Sequence, residues 1–391
     1  MPEVAAVPDI ARVSVVAYFG DDPTRVYQLV QWLPVLEVLD EVHPVGLVVR
    51  DAAVAAHLEE RTHLPVLLAV DFQELRALYE RLDAGVALYC NNSMLNFQSL
   101  LDPRMLHVHV NHGESDKQSM ASNNAKAYDR VLVAGEAAVQ RHLAALMELD
   151  ATRLVRVGRP QLDVPRERVL APSTRRTVLY APTWEGDADY NDYTSVDVMG
   201  PAIAEAVLSL PDVRLVYKPH PKVVTSTREE VREGHRAIMT LVTAAAPTDP
   251  EAGHLALTSA DILAVMPDCD ALVTDVSSVG LDWLYLRNEK PLLLTDKHAD
   301  AERLREEVPV SRCADVVEPA DVAGLADLLA DRLEHDEHHL ARVAMRHHYF
   351  DDVAVGESTT RFLAVVGELL ALRDRLQGVA PSARGSVGIT A

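Results

Sequence analysis

Short runs rich in Val and Leu alternate along the chain with longer segments of helical period. The first series covers residues 12–19, 45–49, 65–70, 86–89, 105–110, 130–133 and 154–157. These runs lack the strict apolar–polar alternation of a half-exposed sheet, so they predict strands covered on both faces, as in a parallel sheet flanked by helices. The pattern breaks between Gly158 and Thr177, where Pro160, Pro165, Pro172 and a cluster of arginines predict an inter-domain linker. A second series follows at 177–181, 213–217, 271–274, 291–294 and 315–317, with helical periodicity at 280–286, 321–333 and 358–376. The expected architecture is α/β, with two Rossmann-like domains facing across a cleft and ligands at the C-terminal strand ends. Residues 1–165 form the N-terminal domain and 174–350 the C-terminal, nucleotide-binding domain. A helix over 351–377 packs back on the first, and 378–391 is a frayed tail.

Composition narrows the classes of function. At 48% hydrophobic and 25% charged residues the chain of 391 residues is globular rather than disordered. Its 59 acidic against 37 Lys and Arg residues give a net charge of -22, which disfavours nucleic acid as a partner. Cys90, Cys269 and Cys313 are far apart in sequence and support neither a disulfide framework nor a structural zinc, so a reducing cytosol is expected. No run approaches the roughly 18 apolar residues of a membrane span, and acidic Glu3 and Asp9 replace the cationic flank of an export signal.

Three loops at predicted strand ends carry chemistry. Asn111-His112-Gly113-Glu114-Ser115-Asp116-Lys117 follows the strand at 105–110, and His112 beside a glycine is a candidate base or phosphate ligand, or a plain turn cap. His107 and His109 complete an HxHxxH spacing, but no carboxylate cluster accompanies them, so no metal site is assigned. Lys218-Pro219-His220-Pro221-Lys222 combines rigidity, positive charge and a titratable ring, which points to an anion site. In Thr274-Asp275-Val276-Ser277-Ser278-Val279-Gly280, Ser277 and Ser278 with the amides of a new helix can hold a diphosphate, while Asp275 or Ser277 serves as an N-cap. Trp184 either stacks on a base or braces its loop. Trp32 and Trp283 are expected in cores, and Glu334 to His339 in a solvated helical face, with a metal site there the minority reading.

Taken in order, His112-Gly113 with Lys117, Gly158-x-Pro160 with Asp163, Ala181-Pro182-Thr183-Trp184, Lys218-x-His220-Pro221, and Thr274-Asp275-x-Ser277-Ser278 with Asp282 form a block. That block resembles the CDP-glycerol glycerophosphotransferases, the teichoic-acid polymerases and primases of GT-B fold, over residues 105 to 365. The resemblance implies that His112 and His220 are catalytic and that Ser277 and Ser278 bind the donor phosphates. It further implies substrate-binding roles for Gly113, Lys117, Arg159, Thr183, Trp184, Lys218, Thr274, Asp275, Asp282 and Thr359. Glu114, Ser115 and Asp116 replace neutral residues of the family, and Glu185 stands where Arg often follows PTW, with Arg159 as a substitute contact. Near the C-terminus the family's DGxxSxR appears as Val355 to Arg361.

The implied reaction is attack of an acceptor hydroxyl on the β-phosphorus of CDP-glycerol or a related CDP-polyol, with CMP leaving. The implied partners are a CDP-polyol donor and a lipid-linked polyol-phosphate or glycan acceptor of the wall or capsule. The expected place is the cytoplasm, with peripheral contact at the inner membrane face through Arg166, Arg168, Arg175 and Arg176. No cofactor is required beyond the CDP-glycerol donor, although the chemistry admits Mg2+. The alternatives are a GT-B glycosyltransferase or nucleotide-sugar 2-epimerase using a UDP- or GDP-sugar, and a non-catalytic nucleotide-binding scaffold.

Overall fold

A computed structural model describes residues 13–117 and 120–378. The chain forms two compact units. The first takes the residues up to His112, then 121–164, then those from Gly356 onward; the second takes 113–120 and 165–355. The loop after His112 thus counts with the second unit and the last helix with the first, so neither unit is one continuous stretch.

The first unit is built on β1 (Val15–Phe19), β2 (Val45–Val49), β3 (Val66–Leu68), β4 (Val86–Tyr89), β5 (Leu106–His109), β6 (Arg130–Val133) and β7 (Leu154–Arg156). They form one parallel sheet of order β3-β2-β1-β4-β5-β6-β7. Alternate residues of β1 feed two cores: Val15, Ala17 and Phe19 enter one, Val16 and Tyr18 the other. Both faces are therefore covered, which is why the strands read as unbroken apolar runs. The helix Glu357–Leu376 closes one face with Phe362, Val366 and Leu369, spaced for one side of a helix and worth about 2 kcal/mol each when buried. Trp32 lies in the same core, 5.4 Å from the Phe362 ring.

The second unit holds β8 (Arg176–Ala181), β9 (Val213–Tyr217), β10 (Leu255–Ala256), β11 (Ala271–Thr274), β12 (Leu292–Thr295) and β13 (Asp315–Val317). Their order, β10-β9-β8-β11-β12-β13, is all parallel and reverses direction between β8 and β11. In such sheets the crevice at the reversal receives ligands. β10, only two residues long, is too short to leave a periodic signal. Trp283 is fully buried.

Several expectations need correction. The stretch read as a linker contains a helical turn, Pro160–Asp163, whose Asp163 carboxylate accepts the N–H groups of Gly356 and Thr359 at 2.8 Å and so caps the last helix. Its arginines are not a free basic patch. Arg166 pairs with Asp261, Arg168 with Asp268, Arg175 with Asp249 and Arg176 with Glu334. The Glu334 to His339 segment is not a continuous helix, because one helix ends at Glu334 and the next starts at His339. The expected tail lies, apart from Gly378, outside the described residues, as do Arg12, Glu3 and Asp9. Among the described residues no helix is long and apolar enough to cross a membrane.

Candidate functional site

In the second unit the motif loops follow β8, β9 and β11, and those after β8 and β11 meet the 113–117 segment. β11 runs into Asp275, Val276 and the cap residue Ser277, whose Oγ accepts the Val279 N–H at 3.3 Å; the helix Ser278–Leu286 begins at the next residue. Ser277 and Ser278 are half-buried at the start of a helix with free amides, an arrangement suited to an anion. Gly113 lies against this turn: a Cβ there would stand 3.2 Å from Ser278 Cβ, so a larger residue would require the Ser278 side chain to give by a few tenths of an ångström. Lys117 reaches Thr183 Oγ1 with its Nζ at 3.4 Å and lies 5.7 Å from the centre of the Tyr193 ring. Burial pulls its pKa down to about 8, against the attraction of Asp275 and Asp192.

Past β9, Lys218 is buried and donates to the Pro219 carbonyl at 3.0 Å, and burial lowers its pKa to about 8. His220 caps the turn Pro221–Val224, its Nδ1 accepting the Lys222 N–H at 3.2 Å. That bond fixes the tautomer and leaves Nε2 as the ring donor. The His220 ring stacks on Trp184 at 6.1 Å and 27°, and Lys222 Nζ sits 3.6 Å from the indole centre. Trp184 therefore braces this loop through one cation–π and one stacking contact. Glu185 is buried and accepts the Ser226 hydroxyl.

Thr274 and Asp275, expected as substrate ligands, are both fully buried with their side-chain oxygens engaged by the protein. Thr274 Oγ1 donates to the Ala181 carbonyl at 2.7 Å. Asp275 accepts the Thr183 N–H at 2.7 Å, the Ser195 N–H at 3.2 Å and the Thr295 hydroxyl at 2.5 Å. Both hold the loops rather than face a ligand. Asp282 is buried on the helix Ser278–Leu286. The acidity of the 113–117 segment is also taken up internally: Glu114 is buried, and Asp116 accepts the Tyr349 hydroxyl.

In the first unit, β5 ends in His109, and Asn111 takes a left-handed conformation (φ 52°) that turns the chain into His112. The His112 ring donates to the Cys90 carbonyl, and its Nδ1 has no hydrogen-bond partner among the described residues. Burial, then the nearby Arg159 guanidinium, pulls its pKa down to about 4, so the ring is neutral with an unused lone pair. Arg159 is itself buried, and its N–H donates to Ser358 Oγ at 3.0 Å. Thr359, expected at the donor, is half-buried and donates to the Pro160 carbonyl at 3.3 Å. The HxHxxH histidines are structural in contact: His107 lies between Tyr89 Oη and the Asp102 carbonyl, both at 2.8 Å, and His109 packs on Tyr128. Among the described residues the group with metal-ligand spacing is Asp315, Glu337 and His338, and Arg332 already bonds both carboxylates.

The sequence profile of the CDP-glycerol:poly(glycerophosphate) glycerophosphotransferases matches residues 105–367, more than half of the chain. The chain belongs to this family. It is a glycerophosphotransferase-family transferase, and the family implies a CDP-polyol donor and a polymer acceptor. A search of curated proteins finds no significant match. Among solved structures, the wall teichoic acid polymerase TagF is similar with a TM-score of 0.60 at 12% identity, over 93% of this chain and 90% of that one. A UDP-N-acetylglucosamine 2-epimerase, described as putative, from Listeria monocytogenes gives 0.58 at 16% identity, over 96% of this chain and 100% of that one. The S. aureus MnaA co-structure with UDP gives 0.57 at 13%, over 96% and 100%. At such identities the likeness is one of fold, which is GT-B with two Rossmann-like units.

Residues of this glycerophosphotransferase that motif reading missed cluster after β12. Lys297 Nζ bonds Asp192 at 3.2 Å and Asp197 at 2.7 Å, Arg228 bonds Asp192 at 2.7 Å, and His298 Nε2 meets the Asp192 carbonyl at 2.8 Å. This network pins the segment that carries Tyr193 and Ser195. Asp296-Lys297-His298 sits at a strand end like the three loops singled out, and that position was its available signal.

Proposed function

We propose that this glycerophosphotransferase moves glycerol phosphate from CDP-glycerol to a terminal hydroxyl of a lipid-linked wall or capsule polymer, releasing CMP. The acceptor oxygen bonds the β-phosphorus, the bond from that phosphorus to the oxygen of CMP breaks, and the acceptor proton passes to His112 Nδ1. The observation that carries the reading is the packing of Gly113 on Ser278 with Lys117 at Thr183, which gathers two hydroxyls, helix amides and a cation in one unit. Phosphoryl-type transfer needs such positioning and charge stabilisation more than covalent help. In this reading His220 donates from Nε2 to the diphosphate, Lys117 and Lys218 offset its charge, and Ser277 and Ser278 anchor it. Lys218 would first exchange its bond to the Pro219 carbonyl for one to the ligand.

The test is CMP release from CDP-glycerol by the full chain with a lipid-linked glycerol phosphate acceptor, with and without Mg2+. Turnover that depends on both substrates supports the proposal. Absence of CMP under all these conditions, or equal turnover of UDP-sugars, would overturn it. We further propose peripheral contact at the inner membrane face where the lipid-linked acceptor lies, tested separately by co-sedimentation with acceptor-bearing vesicles.

A further inference from the structure

Asp275 receives hydrogen bonds from three separate segments of the second unit. The Thr183 amide comes from the loop after β8, the Ser195 amide from the segment pinned by Lys297, and the Thr295 hydroxyl from the end of β12. The Ser195 side chain adds a further bond, and its Oγ meets Tyr180 Oη at 2.7 Å. With no exposed surface, the carboxylate cannot touch a donor molecule. Its effect passes through Thr183, whose carbonyl accepts the Thr194 hydroxyl at 2.8 Å and whose own hydroxyl meets Lys117 Nζ.

We propose that Asp275 is a positioning residue whose carboxylate, when ionised, clamps the Thr183 and Ser195 loops and thereby fixes Lys117 for the donor phosphates. The clamp stands on geometry alone; its link to the donor rests on the functional reading above.

The chemistry of protonation makes the clamp sensitive to acid. An ionised carboxylate is an acceptor at both oxygens, which suits two N–H groups and a hydroxyl donor. Adding a proton turns one acceptor site into a donor that faces other donors, and only a hydroxyl can turn to receive it. The titratable groups that interact with Asp275 are Lys117 from the 113–117 segment, Tyr180 of β8 and Tyr217 of β9. Burial outweighs the hydrogen bonds and pushes its pKa up to about 6, so the change falls in an accessible range.

The experiment follows amide hydrogen exchange at Thr183 and Ser195 in the full chain from pH 5 to 8, corrected for intrinsic exchange, alongside donor KM. Protection at both amides is expected to fall about tenfold or more below pH 6, with KM rising in step, about 1.4 kcal/mol per tenfold change. Thr295→Val removes one bond to the charged form and should move the midpoint upward. Asp275→Asn should abolish the pH response of both readouts. A flat wild-type exchange profile, an unchanged midpoint in T295V, or an undiminished response in D275N would each overturn the clamp. If D275N does not fold, T295V alone decides. A chain inactive with CDP-glycerol at every pH would sink the functional reading, whereas the exchange profile would still judge the clamp.

Discussion

The ends of the two sheets bury different ionisable groups, and at both ends burial disfavours the charged form. In the first unit, His109 and His112 donate to the successive carbonyls of Asn91 and Cys90, and each keeps one ring nitrogen without a partner among the described residues. Burial drives both pKa values down, to about 3 and about 4, so these rings stay neutral, each with a free lone pair. In the second unit the buried ionisable groups include a carboxylate whose pKa is raised to about 6 and two lysines lowered to about 8. In the proposed reaction the histidine of the first unit serves as the base, and the hydroxyls and helix amides of the second unit serve the phosphates.

Removing the imidazole at one end should have the largest effect. His112→Ala is expected to lower kcat by about 100- to 10,000-fold with little change in donor KM, read as CMP release. A kcat within threefold of wild type would erase the contrast. His220→Ala acts on the other end, and because it removes a donor and a stacking partner of Trp184, donor KM should rise by about tenfold or more, with kcat also lowered.

Stability against pH sharpens the comparison, because the two ends respond with opposite sign. His112 has a folded pKa of about 4 against 6.5 for a free imidazole, so its contribution is full above pH 6.5 and is lost as pH falls toward 4. The loss amounts to about 3 kcal/mol. For global unfolding Asp275, at about 6 against 3.8 unfolded, does the reverse: its contribution is fully present below 3.8 and is lost as pH rises through 6. Local opening at Thr183 and Ser195 instead leaves the acid buried and loses only the bonds to its charged form, so it is favoured by protonation. His112→Gln should therefore flatten the acid-side loss in a denaturation series from pH 7 to 4. An identical pH dependence in that variant would show the imidazole to be uninvolved. Smaller effects test the supports. Asp163→Ala removes the cap of the last helix and should destabilise the first unit by about 1 kcal/mol, while Lys222→Gln loses the Trp184 contact, worth about 0.5 to 1 kcal/mol. Both are read as shifts in denaturant midpoint, and D163A should move it more.

The strands were legible because residues covered on both faces must be apolar without interruption, and runs such as 45–49 and 213–217 coincide with β2 and β9. The motif loops were legible because glycine, proline and paired hydroxyls at strand ends answer local needs of the backbone. What local patterns could not show is which distant group a polar residue meets. Asp163 looks like any helix-terminal acid until the amides of Gly356 and Thr359 are found on it, more than 190 positions away in sequence. The linker arginines looked like a docking patch, since the acids that neutralise them, such as Asp268, 100 residues from Arg168, and Glu334 beside Arg176, lie far along the chain. Thr274 and Asp275 sit in a motif whose serines are half-buried, and nothing in its spacing says that these two are fully enclosed.

The helix that completes the first core also sets an order of events during synthesis. Until residues 357–376 have left the ribosome, the surface formed by Trp32 and its neighbours has no cover, whereas every strand of the second sheet has already emerged. The first sheet therefore cannot complete its core until the strands of the second have been synthesised, and its apolar face stays open over that interval.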